Sequence, residues 1–173
     1  MTTPGSRSRM LARFVVAVGL ASTTVPFLET SAFAESRTLT GTWVVQVRLL
    51  TSCGGGSELP PFWSLLTFAS GGTLTGTTTN QAFAPGQRSS DHGTWARARG
   101  RDYKASSLAF INFQTPPSPP VSPGFQRGAQ RIDQAITLTD DDTFTSAAKV
   151  TFFDANAQPY REGCAVATGY RYE

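Results

Sequence analysis

Few residues of this chain carry groups that do chemistry, and each stands in or beside a strand-like run. His92 is the single histidine and directly follows Asp91. An imidazole near a carboxylate suits general acid–base work, which makes His92 the one catalytic candidate. Neighbouring side chains on a strand point to opposite faces, however, so adjacency does not make Asp91 its orienting partner, and a solvated rim histidine is the simpler reading. No G-x-S-x-G elbow accompanies the serines. Gly54-Gly55-Gly56 opens a Pro-containing loop rather than a helix, which argues against a phosphate cradle. Asp140-Asp141-Asp142 fills a three-residue turn without the spacing of a calcium loop. Two cysteines and one histidine spread along the chain lack metal-ligand spacing, so no metal and no cofactor is expected.

Arg97 and Arg99 follow Trp95 at alternate positions, and the face they occupy is open. If Trp95 points inward, so do the arginines, and a buried guanidinium needs an anion, such as the carboxylate of a ligand. If Ala96 and Ala98 point inward, the arginines form an ordinary solvated face, the commoner state of arginine.

Positioning these residues falls to eight runs rich in Val, Ile, Phe, Tyr, Trp and Thr: 41–50, 62–69, 73–78, 93–99, 103–113, 129–139, 143–154 and 164–172. Their connections alternate. Long ones cover 51–61, 79–92, 114–128 and 155–163, and tight hairpins cover 70–72, 100–102 and 140–142. In an up-and-down antiparallel sheet successive connections fall at opposite ends, so all long loops share one end. The expected fold is all-β, an eight-stranded antiparallel up-and-down β-barrel with long loops at the open end and short hairpins at the closed end. Barrels of about eight strands can hold one small ligand.

The first 34 residues stand apart from this pattern. Arg7, Arg9 and Arg13 precede an apolar stretch, and Ser31-Ala32-Phe33-Ala34 ends in an A-x-A-like cleavage site, the pattern of a secretory signal peptide. The stretch falls short of the roughly 20 residues a membrane span needs. No cysteine stands directly after the cleavage site to take a lipid, and Arg7-Ser8-Arg9 is no twin-arginine pair. Residues 35–173 are then a single exported domain, with a periplasmic or extracellular location and no membrane insertion. The three leader arginines and Glu29 account for two of the chain's three formal positive charges, so the remaining charge makes nucleic acid a poor partner.

Cys53 and Cys164 both lie in the exported part. Cys53 follows the end of the first run at the mouth, and Cys164 begins the last. First and last strands are neighbours in a closed barrel, so the topology brings the thiols together, and a disulfide is expected.

Alternation assigns the interior. Trp43, Val45, Val47 and Leu49 share a face, as do Ile132, Ile136 and Leu138, and Phe144, Ala148, Val150 and Phe152. In the fifth run Tyr103, Ala105, Ala109, Ile111 and Phe113 compete with Leu108 and Phe110, and a bulge is one way to reconcile them.

Gly41-Thr42-Trp43 at the start of the first strand resembles the G-x-W opening of lipocalins and the Gly-Thr-Trp opening of avidin-like proteins, together the calycins. The resemblance implies that Trp43 plugs the closed end, with Arg171, near the foot of the last run, stacked on its indole. Neither a further lipocalin motif nor a biotin-binding set accompanies it, so it concerns the fold and carries no ligand. Gly93-Thr94-Trp95 repeats the tripeptide, which we read as coincidence of common strand-entry residues.

Trp95 and Trp63 at strand starts, with Arg97, Phe113 and Tyr160 beside other mouth loops, are the expected ligand contacts. Aromatic groups at an entrance suit an apolar or planar molecule, and Arg97 would add an acidic one. The expected function is secreted small-molecule binding. The alternatives are a barrel enzyme of the cyclase or isomerase type, using His92 and Arg97, and a secreted protease inhibitor or interaction protein. The last would meet a protein partner through 35–40 or through the stiff Pro-rich loop 115–124.

Overall fold

The computed structural model describes residues 38–112 and 127–173. The expected leader, Phe113 and the Pro-rich segment 115–124 lie outside the described residues. Eight strands are formed: β1 (Gly41–Leu50), β2 (Phe62–Phe68), β3 (Thr73–Thr78), β4 (Asp91–Arg99), β5 (Asp102–Asn112), β6 (Arg127–Leu138), β7 (Thr143–Phe153) and β8 (Pro159–Arg171). Each pairs antiparallel with the next, and β8 returns to β1 from Trp43↔Arg171 to Leu50↔Cys164, closing the barrel. The all-β, eight-stranded up-and-down barrel expected from loop lengths is the fold.

Local chemistry explains the closed-end turns. Gly71 and Gly72 both take positive φ, 99° and 88°, which the tight turn between β2 and β3 demands and which side chains resist. Between β6 and β7 the Asp140 carboxylate accepts the Asp142 amide at 2.8 Å, a side-chain substitute for a backbone turn bond. The aspartate run is thus a turn device. At the other end one long connection is shorter than expected, because β8 begins at Pro159 rather than at Cys164. Asp154 Oδ1 accepts the amides of Asn156 and Gln158, each at 2.9 Å, which folds 154–158 into a turn. The β7–β8 ladder then runs on through Phe152↔Arg161, with a register shift before Phe153↔Pro159.

The core fills the closed half. Trp43, Phe68, Phe144, Leu39, Leu74, Tyr103, Ile136 and Leu138 are buried together. Trp43 meets the edge of Phe144 at a centroid distance of 5.0 Å, and Phe68 meets Trp95 at 5.9 Å. Trp43, fully buried, donates its indole Nε1–H to the Leu39 carbonyl at 2.9 Å. The Arg171 guanidinium covers the indole at 4.3 Å. It is held there by donating to the carbonyls of Thr38, Thr40 and Asp141 at 2.7–2.9 Å. One cation therefore ties the entering chain, the β6–β7 hairpin and the plug together. On β5 the inward set is Tyr103, Ala105, Ser107, Ala109 and Ile111, all buried, while Leu108 and Phe110 are exposed. The β5–β6 register runs from Asp102 to Asn112 without a shift, so no bulge is needed there.

Candidate functional site

Above the plug the barrel is not filled. A cavity of about 70 Å³ lies between the core and loop 79–90. Its apolar wall includes Val45, Val47, Leu66, Ile132 and Val150. Small inward residues keep the space open: Ser64 on β2, Ser107 on β5, Ser146 and Ala148 on β7, and Ala165 and Ala167 on β8. An eight-stranded barrel is just wide enough for side chains to fill, so a run of small ones leaves room. Ser64, Ser107, Ser146 and Gln134 line it without a side-chain hydrogen bond to any described residue, and Ser107 is only 4% exposed.

The mouth side is built around one ion pair. Arg88, carried by loop 79–90, has its side chain 5% exposed, and Asp91, at the head of β4, 6%. The Arg88 guanidinium donates from Nη2 to Asp91 Oδ1 at 2.5 Å, from Nε to Gln130 Oε1 at 2.6 Å and from Nη1 to the Ser89 carbonyl at 3.2 Å. The Phe83 ring packs over it at 5.8 Å. Backbone bonds strap this loop along the end of β5, with the Ser89 amide on the Phe110 carbonyl at 3.0 Å and the Asn112 amide on that of Gln87 at 2.9 Å. Gly76, opposite Asp91, supplies the room, since a Cβ there would stand 2.5 Å from Leu66 and 3.3 Å from the Asp91 carboxylate. Among the described residues Arg88 and Asp91 are the only charged ones lining the cavity, and each neutralises the other.

Of the residues expected to meet a ligand, the described ones, Trp63, Trp95, Arg97 and Tyr160, are not brought together. Trp95 points inward but sits at the closed end rather than the rim, against Phe68 and Tyr103, with its indole Nε1–H on the Ala69 carbonyl at 3.0 Å. The cause is the shortness of β3. Its first residue, Thr73, already lies at the floor and pairs with Thr94, so β4 beyond that point extends past β3 and pairs with β5 alone. Arg97 shares the face of Trp95 yet lies beyond the floor. It is exposed, stacked over the Tyr103 ring at 5.7 Å and donating to the Gly100 carbonyl at 2.7 Å. Neither alternative for the arginines foresaw this position. Trp63 is on the outer face, 46% exposed, and Tyr160 is 54% exposed beside Phe152. His92 is exposed on the outer face of β4, opposite in sense to buried Asp91, as alternation requires.

Cys53 and Cys164 form a disulfide with Cα atoms 5.1 Å apart. Cys164 lies within β8 rather than at its start, opposite Leu50.

The lining residues that matter were within reach of the same alternation. Gln130 and Gln134 share the phase of Ile132 and Ile136, and Ser107 that of Ala105 and Ala109. Arg88, in a loop, had no such signal. Among the described residues no group of three His, Cys, Asp or Glu could hold a metal ion. Comparison with known proteins finds no matching family model, no matching curated protein and no matching solved structure.

Proposed function

We propose that this chain is an exported, calycin-like barrel that binds a small molecule in the mouth-side half of its interior. The observation that carries the reading is the division of the interior: a dense aromatic core below, and above it a cavity kept open by small residues beneath a neutralised ion pair. A protein that needed the barrel only as a scaffold would gain stability by filling that space, at about 0.8 kcal/mol per buried methylene. The disulfide is consistent with an extracytoplasmic location, which accords with the leader pattern. His92 faces away from the cavity and Asp91 is held by Arg88, so no free acid–base group among the described residues faces the space. This favours binding over catalysis.

Native mass spectrometry of the protein purified from its own host tests the proposal. A mass adduct retained under gentle conditions and lost in Ala148→Leu, which fills the cavity, is the expected result. An adduct that survives the filling places the ligand elsewhere.

A further inference from the structure

We infer that the cavity selects a compact, uncharged molecule that both donates and accepts hydrogen bonds, with about five to seven non-hydrogen atoms, and discriminates against carboxylates. The inference rests on the proposed binding role and names the class of ligand.

Size comes first. One water needs about 10–15 Å³ of volume of this kind. The 70 Å³ here therefore holds on the order of five water-sized positions, far below the several hundred Å³ typical of pockets for larger ligands. A long acyl chain or a multi-ring molecule would have to extend beyond this space.

Polarity comes second. Ser64, Ser107, Ser146 and Gln134 come from four different strands and converge on the space without partners among the described residues. Ser107 is buried and Ser64, Ser146 and Gln134 are half-buried; a hydroxyl or amide turned from bulk water without a partner is unfavourable, so such groups are expected to meet either water or a ligand that hydrogen-bonds. Three hydroxyls that both donate and accept, plus one amide with two donors and an acceptor, match a ligand carrying both functions. The surrounding Val, Leu, Ile and Ala leave the rest of the ligand apolar.

Charge comes third. Among the described residues Arg88 is the only cation at the cavity, and Asp91 and Gln130 already occupy its Nη2 and Nε donors. An incoming carboxylate would lose its hydration and face the Asp91 charge beside the guanidinium, whereas a neutral amide or alcohol avoids both costs.

Three near-isosteric probes separate these terms: isobutyramide, isobutyrate and 2,3-dimethylbutane, each of six non-hydrogen atoms. Titration of the protein followed by methyl NMR at Val45, Leu66, Ile132 and Val150 gives the three affinities. Isobutyramide is expected to bind at least tenfold tighter than either of the others. Gln134→Leu, which removes the amide at nearly constant volume, should erase that preference and leave 2,3-dimethylbutane unchanged or tighter; Ser107→Ala serves the same purpose if that variant fails to fold. Tightest binding by isobutyrate, or equal binding by isobutyramide and 2,3-dimethylbutane, overturns the ligand class while leaving the binding role in place. No response of the cavity methyls to any probe overturns the binding role itself.

Discussion

The Arg88–Asp91 pair makes a sharp energetic prediction, because both side chains are nearly fully buried and, among the described residues, each is the other's only opposite charge at the cavity. Two unit charges about 4 Å apart interact by about 4 kcal/mol at the effective dielectric of roughly 20 that suits protein sites. Desolvation cancels much of this for the intact pair, but removing one partner strands the other charge, at about 3–5 kcal/mol. Asp91→Ala should therefore destabilise by about 3–5 kcal/mol, even though Arg88 keeps its bonds to Gln130 and the Ser89 carbonyl. Arg88→Met should cost a similar amount, since it strands the Asp91 carboxylate beside Leu66 and Gly76. The double variant strands no charge. Its cost should fall well below the sum, leaving a coupling energy of about 3 kcal/mol, at the upper end for contacting residues. Urea unfolding of the disulfide-intact protein, followed by tryptophan fluorescence and by circular dichroism, measures all four species, and equal m values show that the unfolded state is comparable. Additivity within about 0.5 kcal/mol, or a shift of less than that for Asp91→Ala, would show that the pair is solvated and would refute the buried, mutually neutralised pair.

Three further outcomes follow from the closed end and the disulfide. Trp43→Ala should cost about 3–5 kcal/mol by denaturant unfolding, as for other buried large aromatics, and a change within ±0.5 kcal/mol would remove the plug. Gly169→Ala should destabilise by about 1–3 kcal/mol through overpacking, because its Cβ would stand 2.2 Å from the Phe144 ring; a neutral effect would mean that the ring shifts freely. Replacing Cys53 and Cys164 together by Ala should cost about 2–5 kcal/mol, given that the bridge spans 111 residues, and non-reducing peptide mapping of the native protein should recover the two cysteines linked.

By itself the sequence determined the strands, the closure and the faces of β1, β6 and β7. Side chains alternate with a period of two, so Trp43, Val45 and Val47 are marked as inward by their own spacing, and loop lengths assign the ends of a meander without any long-range information. The neighbouring of β1 and β8, and with it the disulfide, follows from closure alone. Height along the barrel axis is different. It depends on strand length and on the stagger between partners, quantities settled only when all eight ladders close together. Alternation left the face of Trp95 open, and it could not reveal that a six-residue β3 would drop Trp95 to the floor and carry Arg97 out beneath. Nor could it show that an irregular loop would turn Arg88 back into the mouth, because that position is set by bonds to β5 and β6, distant in sequence. Period two decides which face a side chain takes; only the closed tertiary structure decides which neighbours it meets there.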